Sequence, residues 1–95
     1  MNGYTYILEC CDGSYYVGST DNIERRLAEH QSGMGSIWTK SHLPVKLVYV
    51  EEHMRIDEAF YRERQIHGWS RAKKKALIDG RFEDLPKLSH KDDKD

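Results

Sequence analysis

The chain has 95 residues, of which 38% are hydrophobic and 33% are charged, and its formal net charge is −1. This length supports one hydrophobic core, and the composition is globular rather than disordered. The near-neutral charge argues against a protein that binds nucleic acid through overall positive charge. No apolar run approaches the roughly 20 residues of a membrane span and no leader pattern is visible, so we expect a cytoplasmic protein.

The first predicted element is a β-hairpin, because two segments rich in β-branched and aromatic residues flank the turn signal Asp12-Gly13. A two-residue turn would place Tyr6 and Tyr16 on opposite faces. A three-residue loop with Gly13 as the bulge would pair Leu8 with Tyr16 and place both tyrosines on one face. We predict the three-residue loop.

A first helix is predicted from about residue 22 to 31, capped by Asp21 or Thr20 and ended by Gly33. An irregular stretch follows, and a third strand begins near Val45. The adjacent pair Cys10 and Cys11 would point to opposite faces of a strand. Neither a disulfide nor a zinc site is therefore predicted.

Two further helices are predicted, at residues 56–67 and from the cap Ser70 to Asp79, with Gly80 as the terminator. Apolar side chains beyond them are expected to pack on the domain, namely Phe82, Leu85 and Leu88. The order ββαβαα indicates an α+β fold, with a small antiparallel sheet covered by helices. We expect one domain over residues 1–88 and a disordered charged tail at residues 89–95.

Two polar residues of the first helix lie beside its buried stripe of Ile23 and Leu27. Helical geometry places Arg26 about 60° and His30 about 20° from Ile23. A lone arginine at such a border usually packs its stem on the sheet and leaves its head in water. A functional role for Arg26 therefore needs further support.

Glu63 falls within an apolar arc of the second long helix, about 40° from Ala59. The arc consists of Ala59, Phe60, Ile66 and His67. A carboxylate on a covered face is costly unless it is paired or binds a cation. An ion pair with Arg26 or Arg62 and a metal site are both consistent with this position.

Positive charge is concentrated in the same region. Between residues 62 and 75 there are six basic residues: Arg62, Arg64, Arg71, Lys73, Lys74 and Lys75. The cluster indicates a surface that faces phosphates, with a solvated basic face as the alternative. The four tyrosines of the hairpin also fit strand propensity and core packing without any chemistry.

Taken in order, these residues resemble a known family. Tyr4-Thr5-Tyr6, Tyr16-Val17-Gly18, Arg26 and Glu63 follow one another as in the GIY-YIG nuclease domain. The phrases Glu-Arg-Arg-Leu-Ala-Glu-His and Arg-Glu-Arg-Gln-Ile-His-Gly-Trp-Ser resemble the small bacterial YhbQ-like members. The resemblance implies a three-stranded antiparallel sheet flanked by helices, the GIY-YIG endonuclease fold.

The resemblance also implies roles. Tyr6 and Tyr16 correspond to the motif tyrosines, either of which is a candidate general base. Arg26 corresponds to the active-site arginine and Glu63 to the ligand of Mg²⁺ or Mn²⁺. His30 agrees with the YhbQ-like group and is expected to assist Arg26 or the base.

Two small residues are also candidates for contact with DNA. Gly18 corresponds to the motif glycine, where a phosphate can approach the backbone. Ser19 stands where some DNA-repair members carry a lysine. The late asparagine of some members has no counterpart in this chain.

The resemblance therefore implies a metal-dependent DNA endonuclease of repair or recombination, with branched or single-stranded DNA among its substrates. The basic cluster would contact the DNA backbone without reading sequence. A nucleic-acid-binding accessory module that works beside a partner protein is the alternative. A structural or protein-interaction domain is a third reading, which leaves the position of Glu63 unexplained.

Overall fold

The structure, a computed structural model, describes residues 2–87. The elements within this range are, in chain order, β1 (Gly3–Glu9), β2 (Tyr15–Thr20), α1 (Ile23–Gln31), α2 (Ile37–Ser41), β3 (Lys46–His53), α3 (Ile56–His67), α4 (Arg71–Ile78) and a 3-10 turn (Phe82–Asp84). The predicted α+β fold and order of elements are confirmed, and the short helix α2 is added within the stretch expected to be irregular. Leu88 and the tail predicted at residues 89–95 lie outside the described residues.

The strands form one antiparallel sheet in the order β2-β1-β3, so β1 is central and β2 lies at an edge. The hairpin has the predicted register, because Leu8 pairs with Tyr16 and Tyr6 pairs with Gly18. Gly13 adopts a φ of +84° in the hairpin loop, a left-handed conformation that glycine accepts without steric cost. Tyr6 and Tyr16 therefore project from the same face of the sheet.

Helix α1 begins after Asn22, whose side-chain oxygen accepts a 3.0 Å hydrogen bond from the backbone N–H of Arg25. The prediction of Asp21 or Thr20 as the cap is wrong, because both side chains have other partners. Asp21 pairs with the Arg25 guanidinium at 2.9 Å, and the Thr20 hydroxyl accepts the backbone N–H of Asn22 at 3.1 Å. Gly33 follows the helix with a φ of +82°, as predicted for its end.

Helix α2 has no hydrophobic stripe, since Thr39 is its buried residue. A capping box starts it: the Ser36 side chain accepts the backbone N–H of Thr39, and the Thr39 hydroxyl accepts the backbone N–H of Ser36. The usual signature has Glu or Gln at the second position, so Ser-x-x-Thr was not recognised in the sequence. This capping box fixes Thr39 next to His30 on α1.

The sheet separates two hydrophobic clusters. The face toward α1 contains Tyr6, Leu8, Cys10 and Val45, with Ile23 and Leu27 partly buried against them. The face toward α3 and α4 contains Ile7, Val17, Ile66 and Leu77. Leu85 packs on the second cluster as predicted, whereas Phe82 is 58% exposed and does not. No described helix is long and apolar enough to cross a membrane.

Candidate active site

A series of buried side chains connects β1, α1 and α2. The phenol oxygen of Tyr6 lies 2.8 Å from Nε2 of His30, and Nδ1 of His30 lies 2.8 Å from the hydroxyl of Thr39. Tyr6 is 1% exposed, and His30 and Thr39 are fully buried. The Thr39 hydroxyl also donates to the backbone carbonyl of Ser36 at 3.2 Å. Each polar side-chain atom of this series has a partner, as burial requires.

The direction of these hydrogen bonds follows from the available donors. Because the Thr39 hydroxyl donates to Ser36, Nδ1 of His30 donates to Thr39 and Nε2 accepts from Tyr6. Arg26 also acts on the Tyr6 phenol and opposes the effect of burial on its pKa. Burial, and then the charge of Arg26, lower the pKa of His30. His30 is therefore neutral at pH 7, with its proton on Nδ1.

The two motif tyrosines have different environments. Burial raises the pKa of Tyr6 to about 12, although Arg26 opposes the shift. Tyr16 is half-buried, and its ring meets His30 edge-on with centroids 5.2 Å apart. Tyr16 also lines an open cleft beside Arg26. Tyr16 can therefore touch a molecule in the cleft, whereas Tyr6 lies behind it.

This cleft, which we call the Glu63 cleft, has a volume of about 540 Å³. Its lining residues are Tyr16, Gly18, Ser19, Arg26, Ile56, Asp57, Phe60 and Glu63. Oε1 of Glu63 accepts a 2.6 Å hydrogen bond from the Ser19 hydroxyl, and Arg26 donates to Glu29 at 3.1 Å. Within residues 2–87, Glu63 forms no ion pair with Arg26 or Arg62. The ion-pair explanation of Glu63 is therefore wrong for this part of the chain.

The helical arc around Glu63 is only partly buried. Ala59 and Ile66 are fully buried, but Phe60 is 54% exposed and His67 is exposed. Phe60 lines the Glu63 cleft while it is open to solvent. Glu63 therefore stands at the border between the core and the cleft, where its carboxylate can meet a ligand.

Two glycines make room for the buried side chains. A Cβ on Gly18 would lie 2.4 Å from the Tyr6 phenol oxygen, and a Cβ on Gly35 would lie 2.2 Å from Nδ1 of His30. Both distances are far below van der Waals contact. The sequence predicted Gly18 as a place of close approach to a phosphate, and the structure adds that Tyr6 occupies the space of its missing side chain.

The six basic residues of the predicted patch differ in burial and in their partners. Arg62 and Lys75 form ion pairs with nearby carboxylates at 2.8 and 3.2 Å. Lys73 is only 6% exposed, with Nζ 4.0 Å from the centroid of the Trp69 ring. Arg64 is exposed on α3. Three of these four side chains thus have a carboxylate or an aromatic ring as a partner, whereas Arg64 is exposed.

The other two basic residues lie beside β2. The Arg71 guanidinium is 4.3 Å from the centroid of the Tyr15 ring. Lys74 is half-buried and lines a second cleft together with Tyr16. Burial, and then the charge of Arg71, lower the pKa of Lys74. Arg71 and Lys74 are therefore the members of the predicted patch that lie next to a motif tyrosine.

Sequence reasoning missed three residues that support this site, Ser36, Thr39 and Gly35. Ser36 and Thr39 form the capping box of α2, and Gly35 lies directly before it. The Gly-Ser-x-x-Thr spacing was the available signal. Its importance depends on the contact of α2 with His30, which is visible only in the fold.

The carboxylate of Glu63 fits the divalent metal that the sequence predicts. The described residues contain no group of three or more His, Cys, Asp or Glu side chains that could hold a metal by themselves. Mg²⁺ needs no such group, because it keeps several waters and is commonly held by one or two carboxylates and a substrate phosphate. Glu63 at the border of an open cleft is compatible with that mode of binding.

Comparison with known proteins adds an independent observation. A family model described as the GIY-YIG catalytic domain matches residues 2–76. The chain belongs to this family. A UPF0213 protein of Syntrophus aciditrophicus (strain SB) is 51% identical over 76 residues, which cover 79% of this chain and 87% of that protein. A UPF0213 protein of Halalkalibacterium halodurans is 40% identical over 92 residues, which cover 94% and 98%.

Two solved structures also resemble this GIY-YIG domain. The solution NMR structure of a UPF0213 protein from Bacillus halodurans has a TM-score of 0.55 and 40% identity, covering 83% of this chain and 84% of that one. The solution NMR structure of the protein EF2693 from E. faecalis has a TM-score of 0.58 and 34% identity, covering 84% and 85%. The predicted family and fold are thereby confirmed, and the chain carries a domain of the GIY-YIG nuclease family.

Proposed function

We propose that this protein is a divalent-metal-dependent endonuclease that hydrolyses phosphodiester bonds of DNA during repair or recombination. The observation that supports it best is the position of Glu63 and Arg26, which line one cleft without pairing with each other. A carboxylate attracts a cation and a guanidinium attracts a phosphate. A phosphodiester accompanied by a divalent cation satisfies both side chains at once.

The charged residues of the cleft then have distinct roles. Glu63 binds Mg²⁺ or Mn²⁺, and the hydrogen bond from Ser19 fixes the orientation of the Glu63 carboxylate. A cation held by Glu63 would supply stabilisation of negative charge on the scissile phosphate and the leaving 3′ oxygen. Arg26 donates its planar fork to the phosphate, while its ion pair with Glu29 limits the freedom of the side chain.

The two motif tyrosines, Tyr6 and Tyr16, have different roles in the hydrolysis. Hydrolysis forms a bond from a water oxygen to phosphorus, breaks the bond to the 3′ oxygen and transfers one proton from the water to the leaving group. Tyr16 lines the cleft, so its oxygen accepts a hydrogen bond from the attacking water and orients it. Tyr6 keeps its proton because of its raised pKa, donates to His30 and positions Arg26.

Contacts with the rest of the DNA are assigned to the groups nearest the cleft. Gly18 and Ser19 line the cleft. On α4, Arg71 lies over the ring of Tyr15, and Lys74 lines a second cleft together with Tyr16. The positive charges of Arg71 and Lys74 contact the phosphates of the DNA backbone and do not distinguish between bases.

The test is cleavage of plasmid, branched and single-stranded DNA with Mg²⁺ or Mn²⁺ by the wild type and by Glu63→Gln. We expect Glu63→Gln to reduce the rate by about 100-fold or more. Glu58→Gln, an exposed neighbour on α3, is the matched control and should retain the rate. Equal rates in all three proteins would exclude Glu63 from the chemistry. Binding without cleavage by the wild type would favour the accessory-module alternative.

A further inference from the structure

A second cleft shares Tyr16 with the Glu63 cleft, and we call it the Trp38 cleft. It has a volume of about 310 Å³ and is lined by Tyr15, Tyr16, Val17, Trp38, His67 and Lys74. This volume lies within the range of pockets that hold small organic groups. Because β2 is an edge strand, the two clefts are neighbours along the open side of the sheet.

Trp38 is an exposed ring on a rigid support. Its indole is stacked on His42, with centroids 3.9 Å apart and an angle of 15° between the planes. Nδ1 of His42 donates to the backbone carbonyl of Trp38 at 2.6 Å, and Nε2 lies 3.7 Å from the Asp12 carboxylate. Trp38 is nevertheless 47% exposed, and within residues 2–87 His42 is the one ring that stacks on it. One face of the indole is thus supported while part of the ring remains available.

Positive charge lies beside this platform. Lys74 lines the Trp38 cleft, and the described residues that line this cleft include no carboxylate. Arg71 lies over Tyr15, with its guanidinium 4.3 Å from the ring centroid. The indole of Trp38 and the ammonium of Lys74 in one cleft match the two parts of a nucleotide, since a base stacks on the ring and a phosphate pairs with the cation. An uncharged apolar ligand would offer no anionic group to the ammonium of Lys74.

We propose that the Trp38 cleft binds an unpaired nucleotide of the DNA substrate, with its base stacked on Trp38 and its phosphate held by Lys74. This subsite rests on the proposed nuclease function and narrows its substrate class. Tyr16 lines both clefts, so neighbouring nucleotides of one strand can occupy the two clefts together. A paired base cannot reach Trp38, because both of its faces are covered by the duplex stack. The preferred substrate is therefore single-stranded DNA or an unpaired segment of branched DNA.

The experiment measures binding without added metal, so that no probe is cleaved. The probes are an oligothymidylate of about 12 nucleotides, an abasic oligomer with the same number of phosphates, and the matching oligouridylate. We expect Trp38→Ala to weaken binding of the oligothymidylate about tenfold and to leave binding of the abasic oligomer unchanged. Ile37→Ala, which removes an 89% exposed side chain next to Trp38, is the matched control and should bind like the wild type.

A second measurement reports stacking directly and needs no truncation of Trp38. The chain has two tryptophans, so Trp69→Phe leaves Trp38 as the one indole fluorophore. The oligothymidylate should quench this fluorescence and the abasic oligomer should not. Lys74→Gln should weaken the binding of both oligomers. It should also reduce the slope of log binding constant against log salt concentration by about one.

Equal binding of base-bearing and abasic oligomers, together with unchanged Trp38 fluorescence, would overturn the subsite. Tighter Trp38-dependent binding of the oligouridylate would overturn the assignment to DNA. A wild type that cleaves DNA but shows no dependence on Trp38 would remove this inference alone. Trp38-dependent binding by a wild type that cleaves no DNA would support the subsite and refute the nuclease function.

Discussion

The phenol of Tyr6 donates to Nε2 of His30 across 2.8 Å, and neither ring is open to solvent. The first motif tyrosine is thus held by a neutral histidine inside the domain, and Arg26 opposes the rise that burial causes in the pKa of its phenol. The buried Tyr6 phenol is therefore placed to position Arg26 and has no contact with solvent. The relationship makes the ionisation of Tyr6 and of His30 measurable through the stability of the fold.

Alkaline unfolding should report the buried phenol of Tyr6. An unfolded tyrosine titrates near pH 10, whereas burial raises the pKa of folded Tyr6 to about 12. The stabilisation is therefore fully present below about pH 10 and is lost as pH rises toward 12, by up to roughly 3 kcal/mol. Urea titrations should show a smaller fall in the free energy of unfolding over this pH interval for Tyr6→Phe than for the wild type.

The comparison of wild type and Tyr6→Phe also removes the effect of Tyr49 on the pH dependence of stability. The pKa of Tyr49 is raised by burial and then by the Glu51 carboxylate, so Tyr49 titrates in both proteins. Its effect cancels when the two pH profiles are subtracted. Parallel profiles would contradict the buried, protonated state of Tyr6.

Acid unfolding should report His30. Burial, and then the charge of Arg26, place the pKa of folded His30 below the unfolded value near 6.5. The neutral ring therefore stabilises the fold above about pH 6.5, and this contribution is lost as pH falls through the folded pKa. His30→Gln should show a flatter fall of unfolding free energy between about pH 7 and 5 than the wild type. His67→Gln, at an exposed position on α3, should keep the wild-type slope.

The hydroxyl of Thr39 should matter more than its methyl group. Thr39→Val leaves Nδ1 of His30 and the backbone N–H of Ser36 without their acceptor, at a cost of about 1–3 kcal/mol. Thr39→Ser keeps the hydroxyl and should retain most of the stability and the DNA cleavage rate. Urea unfolding and cleavage assays on both variants test this, and equal behaviour of Val and Ser would show that the hydrogen bond has no role.

The sequence predicted elements well where their signals are local. Gly13 permits the hairpin loop and its register, and Ser70 and Gly80 bound α4 as expected, with a 3.2 Å bond from the Lys73 backbone N–H to the Ser70 hydroxyl and a φ of +73° at Gly80. Each signal acts within a few residues of the chain. These parts could therefore be read without knowledge of the tertiary structure.

Other features depend on contacts between distant segments and were not predictable in this way. The short helix α2 is fixed partly by the contact of Thr39 with His30, nine residues earlier. The run of basic residues suggested one surface, but Lys73 is buried against Trp69 whereas Lys74 lines the Trp38 cleft. Adjacent lysines are about 100° apart on a helix, so charge in the sequence does not specify which face carries it.

Removal of the Ser19 hydroxyl should weaken metal binding more than it weakens the fold. The hydroxyl donates to Oε1 of Glu63 at 2.6 Å from a half-buried position on β2. Without this hydrogen bond the carboxylate of Glu63 is free to rotate, and loss of such a supporting contact typically lowers metal affinity 10- to 100-fold. Ser19→Ala should therefore need about tenfold more Mn²⁺ for half-maximal DNA cleavage, with a similar rate at saturating metal.

The matched control for Ser19→Ala is Ser41→Ala, because the Ser41 hydroxyl is exposed and donates to a helix carbonyl at 3.2 Å. Its Mn²⁺ requirement should equal that of the wild type. A lower rate of Ser19→Ala at every Mn²⁺ concentration, with an unchanged midpoint, would indicate that Ser19 acts on the DNA rather than on Glu63. A raised midpoint with an unchanged maximum would instead connect Ser19 to the metal through Glu63, because only the affinity for the cation would have changed.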